Sequence, residues 1–118
     1  MPTGFLEHVN ITVSDPERSA VLLQQLCGWH ERWRGPSQLG GWTIHVGSER
    51  DYLAVYTNEG RGGPFAKGVP LNHVGLVVDD LDAAEAVVKA AGLAGMGFAA
   101  LGLWFTLRQA WPREVSHA

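Results

Sequence analysis

His8 and His73 have the clearest claim to chemistry in this chain, because each opens one copy of the same pattern. Leu6 to Asp15 reads LEHVNITVSD and Leu71 to Asp80 reads LNHVGLVVDD, with five of the ten positions identical at an offset of 65 residues. A neutral imidazole binds divalent metals and, near pH 7, also moves protons. One histidine in a strand is usually structural. A pair at matching positions of a repeat, sharing a polar face with Asn10 and Gly75, points instead to metal ligation by both. Two nitrogen donors hold a catalytic metal too weakly on their own, so further donors are required.

The elements that must position these residues follow from alternation and capping. Between Leu6 and Val13, the residues Val9, Ile11 and Val13 fall on one side and His8, Asn10 and Thr12 on the other, the pattern of a strand with one face on a core. Asp15-Pro16 supplies an N-cap and a proline at the first helical position, Glu17 adds negative charge to the first turn, and Gly28 stops the helix after Cys27. Val21, Leu22 and Leu26 are expected on its buried side. Trp29 to Arg34 predicts a short strand before a Gly35-Pro36 turn, and Gly41 to Val46 with Tyr52 to Thr57 predicts a hairpin. The first module, 5–58, thus reads β-α-β-β-β. Residues 59–70, rich in glycine and proline, form a linker.

The second module, 71–118, starts in parallel with the first. Leu71 to Val78 repeats the strand, Asp80 caps a helix reaching about Ala91 with Leu81, Ala84, Val88 and Ala91 on one stripe, and Gly92 ends it. After about residue 93 the parallel is lost. Ala94 to Phe105 has neither alternation nor turn chemistry, which predicts a buried irregular strand or a pair of helices. Ala90 to Leu107 runs 18 residues without a charge, yet its four glycines and many alanines make it a poor membrane span, so no membrane is expected as a partner.

Bulk properties narrow the classes. The 118 residues are enough for one domain, and 46% hydrophobic with 18% charged residues is globular composition. A formal charge of −3 with no basic run argues against nucleic acid. Cys27 is the only cysteine, so no internal disulfide forms, and it reads as a small buried residue. With no basic and apolar leader at Met1 to Phe5, a cytoplasmic location is expected.

The order of these motifs resembles the vicinal oxygen chelate superfamily, which includes glyoxalase I, the extradiol dioxygenases, and the bleomycin and fosfomycin resistance proteins. The resemblance is carried by Leu6 to Asp15, Leu26-Cys27-Gly28-Trp29, Tyr52 to Tyr56, and Leu71 to Gly92, about three quarters of the chain. It implies an α+β fold: two βαβββ modules forming an open, curled mixed sheet of glyoxalase type, the second module irregular or incomplete. Metal ligands in that family project from the first and last strands of each module. Carried over, His8 and His73 match the first-strand ligands, whereas Ala54 stands where the last strand of module one would place its ligand. Glu114 is the candidate carboxylate for the end of module two, giving a His8, His73 and Glu114 set of facial-triad type.

Glu114 lies 41 residues after His73, short for a helix and three strands, and the family's Asp-Pro-x-Gly turn is absent before it. Codons permitted for Leu107 to Glu114, read one nucleotide later, can encode an aromatic-Asp-x-Pro-Gly-Leu-Glu string closer to the family ending. This raises the expectation of a frame-shifted tail from about Gly95, which the codons of the gene decide.

Two functions follow from the resemblance. In the first, a divalent ion (iron, manganese, zinc or nickel) chelates vicinal oxygens of a small substrate in a lyase, isomerase or dioxygenase. His45 and Tyr56 would then move protons while Asn10 and Tyr52 contact the substrate. In the second, no metal binds, and the same concave sheet, lined by Trp and Tyr side chains, sequesters a drug-like molecule as resistance proteins do. His45 would then be a cavity-wall histidine, and Tyr52 and Tyr56 would fill the barrel mouth. Ala54 and the irregular tail favour the second; the paired histidines favour the first. A homodimer is expected in either case.

Overall fold

The computed structural model describes residues 3–38, 40–58, 73–92, 97–100 and 103–109. The linker, Glu114 and His117 lie outside them. The described chain runs β1 (His8–Thr12), α1 (Pro16–Cys27), β2 (His30–Pro36), β3 (Trp42–Gly47), β4 (Tyr52–Thr57), β5 (Val74–Val78), α2 (Leu81–Ala90), β6 (Gly97–Ala100) and β7 (Leu103–Gln109). Two mixed sheets result, ordered β1-β4-β3-β2 and β5-β7-β6. The first strand of each module pairs in parallel with a later strand, β1 with β4 and β5 with β7, and each module's helix lies between those partners in sequence. This is the expected α+β arrangement, with β-α-β-β rather than βαβββ in the second module among the described residues.

Local chemistry explains where the helices begin and end. Asp15 Oδ1 accepts the Arg18 N–H at 3.2 Å, Pro16 opens the first turn, and Gly28, at φ 67°, donates its N–H to the Gln24 carbonyl at 2.9 Å. Asp80 Oδ1 accepts the Ala83 N–H at 3.1 Å in the same way, and Gly92 takes φ 79° beyond the end of α2. The buried side of α1 is Ser19, Ala20, Leu22, Leu23 and Leu26, a helical stripe that includes Leu23 and leaves out Val21. Val21, expected toward the core, is 49% exposed because it sits one residue off that stripe.

Two strand expectations also change. β2 does not stop at a Gly35-Pro36 turn but continues through both residues, with Pro36 paired to Trp42; as an edge strand it tolerates the missing N–H. The stretch expected to be irregular or helical forms the antiparallel pair β6 and β7, since backbone pairing does not require alternating side chains. No described helix is long and apolar enough to cross a membrane. One core unites the two modules, with Val13, Leu23, Ile44, Val46, Val55 and Val88 fully buried in it. α1 carries the connection, packing on β3, on α2 and on β5. Among the described residues, no helix packs on the opposite face of the first sheet.

Candidate functional site

That open face is polar because register aligns the alternate residues of all four strands. Asn10, Ala54, His45 and Trp33 form one row across β1, β4, β3 and β2; Thr12, Tyr56, Thr43 and Gly35 form the next; His8, Tyr52 and Gly47 form a third. β2 reaches this register through a bulge between Glu31 and Trp33, which leaves Arg32 as the extra residue. The bulge explains why sequence alternation alone could not assign Arg32 or Trp33 to a face.

Rings fill the centre of the face. Tyr52 stacks on His8 with centroids 4.8 Å apart and on His45 at 4.6 Å, while His45 meets the Trp33 ring at 5.0 Å, tilted by 52°. The Arg32 guanidinium lies 4.3 Å from the Tyr52 centroid, an attraction of cation and ring quadrupole. Ala54 lies between Tyr52 and Tyr56 on the same face and is 1% exposed, so the position where a module-one ligand was sought is both apolar and covered.

The individual candidates are held as follows. His8 Nδ1 is 2.9 Å from Glu7 Oε1; with the proton on Nδ1 the ring donates to the carboxylate and keeps the Nε2 lone pair free. Glu7 went unnoticed in the sequence because neighbours in a strand point to opposite faces, and only the half-exposed His8 ring brings the two together. His45 is held below the usual imidazole range, first by burial and then by electrostatic repulsion from the neighbouring His8 and Arg32. Tyr56 donates its hydroxyl to the Gly40 carbonyl at 3.1 Å, beside Gly41, whose φ of 87° and close approach to Thr57 and Tyr56 demand glycine. Burial pushes the Cys27 thiol up to about 11, which suits a packing residue and not a nucleophile.

His73 stands exposed immediately before β5. Two residues on, Gly75 is paired with Thr106 of β7, as Asn10 is paired with Ala54 of β4. Thr106 therefore holds in module two the register position that Ala54 holds in module one. Among the described residues, no three His, Cys, Asp or Glu side chains are grouped to hold a metal ion.

A cavity of about 600 Å³ opens on the face beside the rings, walled by Asn10, Thr12, Trp33, Thr43, His45 and Tyr56, with Ser37 and Gln38 of the β2–β3 connection at its rim. Such a volume suits a small organic molecule. It takes in Asn10, His45 and Tyr56 of the expected site but neither His8 nor Tyr52, which lie at the adjoining ring stack.

Solved structures share this fold. A glyoxylase/bleomycin resistance protein/dioxygenase domain from Frankia sp. EAN1pec superposes with a TM-score of 0.77 at 20% identity, covering 93% of this chain and 100% of that one. This is the vicinal oxygen chelate fold. Other proteins with the fold include the fosfomycin resistance protein FosX from Mesorhizobium loti, with a TM-score of 0.70 at 19% identity over 97% of each chain. A mutant FosX from Listeria monocytogenes, complexed with Mn(II) and 1S,2S-dihydroxypropylphosphonic acid, gives 0.71 at 14% identity over 97% of this chain and 98% of that one. No family model matches the sequence, and no curated protein matches it. In the two sheets Ala54 is paired with Asn10 two residues after His8, and Thr106 with Gly75 two residues after His73.

Proposed function

We propose that this chain is a small-molecule binding protein of the glyoxalase and bleomycin-resistance type, using the groove on the polar face of β1-β4-β3-β2 to hold its ligand. The observation that carries this reading is the register of the closing strands. Ala54 and Thr106 occupy the positions at which the fold would present donors, and a methyl group or a neutral hydroxyl is no substitute for a carboxylate. The described residues therefore do not fit a resident catalytic metal. What they do fit is an open groove with an aromatic wall and uncharged polar groups that orient a ligand by hydrogen bonds.

A second reading, a metal-dependent enzyme, draws support from His8, whose contact with Glu7 is the usual way of orienting a ligating imidazole. In it His8, His73 and Glu114 form the donor set, and His45 is the neutral base. The outer edges of β1 and β5 are unpaired among the described residues, so a second copy could dock there as a homodimer.

Metal analysis of protein purified without chelator separates the readings. The binding reading expects far less than one divalent ion per chain. About one ion per chain in the parent, lost in both His8→Ala and His73→Ala, would overturn it in favour of the enzyme.

A further inference from the structure

We propose that the ligand of this cavity is an uncharged, flat ring system carrying hydroxyl or carbonyl oxygens, a proposal that rests on the binding reading above. Three independent features of the wall point there.

The first is a built stacking platform. Trp33 is 47% exposed, and its indole lies down over Gly35, where a Cβ would stand 2.6 Å from Cζ2 and 2.8 Å from Cη2, and abuts the His45 ring. Only glycine at position 35 lets the indole rest on the strand in this way. An exposed aromatic face laid flat on the strand offers a surface on which a second ring can stack.

The second is charge. Among the described lining residues there is no Asp, Glu, Lys or Arg, and the imidazole of His45 favours the neutral form. An anionic group placed there would surrender its hydration with no charged side chain among the described lining residues to contact, and with the nearby Arg32 guanidinium already set against Tyr52. Arg32 is not part of the wall and keeps its guanidinium on Tyr52. A phosphonate of the kind seen with FosX from Listeria monocytogenes is thus the wrong chemistry for this wall.

The third is the placement of free hydrogen-bonding groups. Ser37 Oγ and Thr43 Oγ1 bond each other at 2.6 Å, and Tyr56 is committed to Gly40. Asn10 and Thr12, by contrast, have no side-chain hydrogen bond among the described residues. They stand on β1, at the opposite edge of the sheet from Trp33 on β2. Three strand spacings put those edges about 14 Å apart, room for two fused rings between the side chains. One end of the ligand stacks on Trp33 while its oxygen exchanges hydrogen bonds with Asn10 and Thr12.

The test uses three probes on the full-length chain: 2-naphthol, flat and uncharged; 2-naphthyl phosphate, flat and anionic; and decahydro-2-naphthol, uncharged and not flat. Binding is followed by the indole Nε1–H resonance of Trp33, resolved by NMR from the other tryptophans and assigned with Trp33→Leu. The expected result is that 2-naphthol moves this resonance and binds at least about tenfold more tightly than either other probe. Gly35→Ala, which displaces the indole, and Trp33→Leu, which removes an exposed side chain without touching the core, should each weaken it by about tenfold. Equal or tighter binding of the phosphate or the saturated alcohol, with the Trp33 resonance still moving, overturns the proposed ligand class and leaves the binding reading standing. So does full naphthol affinity in Trp33→Leu, read from the naphthol signals. Binding of none of the three probes overturns both.

Discussion

His45 shows how a single side chain takes its chemistry from its neighbours. Burial and electrostatic repulsion from the neighbouring His8 and Arg32 keep its proton affinity below the ordinary imidazole value of 6.5. In the unfolded chain the same ring takes up a proton near 6.5, so below that pH the unfolded state binds more protons than the folded one. The contribution of His45 to stability is therefore complete above 6.5 and is lost as pH falls through the folded value. An NMR titration of its Cε1–H should give a midpoint below 6.5, and Arg32→Ala should move that midpoint upward; a midpoint at or above 6.5 would remove the neutral ring from the cavity wall. The face occupied by His45 was legible from the alternation of Thr43, Ile44, His45 and Val46, because β3 pairs without a bulge. Arg32 and Trp33 were not legible, because the bulge in β2 shifts the phase of alternation at those very residues.

At the scale of elements, α1 was the most readable part of the chain. Its limits depend on Asp15, Pro16 and Gly28, which act on backbone groups within one turn of themselves. Its buried stripe was less readable, since Val21, Leu22 and Leu23 are all apolar and only packing decides which of them turns inward. Two substitutions measure these contributions separately. Leu23→Ala, at a fully buried position, should lower the unfolding free energy by about 2–5 kcal/mol, and Asp15→Ala by about 0.5–2 kcal/mol through loss of the cap to Arg18. Urea denaturation reads both, and a smaller loss for Leu23→Ala than for Asp15→Ala would contradict the assignment of the core. Arg34 also ties this helix to β2 through Glu17 and Glu31, an exposed network that fixes geometry more than it adds stability.

The whole molecule joins two modules through their helices and one shared core and leaves the outer edges of β1 and β5 unpaired among the described residues. Open edges next to exposed apolar side chains, with Val77 of β5 at 54% exposure, favour association with a second copy. Light scattering at micromolar concentration should report twice the chain mass of 12.8 kDa, and Val77→Lys should shift the population toward monomer with the helical circular dichroism retained. A monomeric parent protein would remove the homodimer. A dimer that persists unchanged in Val77→Lys would show that this face does not mediate it.

The sequence by itself determined both helices, the strands β1, β3, β4 and β5, and the repeat, because alternation, caps and glycine stops act over a few residues and occur in both halves of the chain. It placed His8 and His73 at equivalent positions, and it marked Ala54 as a missing donor once the family resemblance was recognised. Only the tertiary structure decided what those positions amount to. Strand register is a relation between residues far apart in the chain, and it is register that sets Thr106 across from Gly75, brings Tyr52 against His8 and His45, and lays Trp33 over Gly35. The histidine repeat thus fixed where a site would lie, and the pairing of distant strands gave that site its uncharged, aromatic wall.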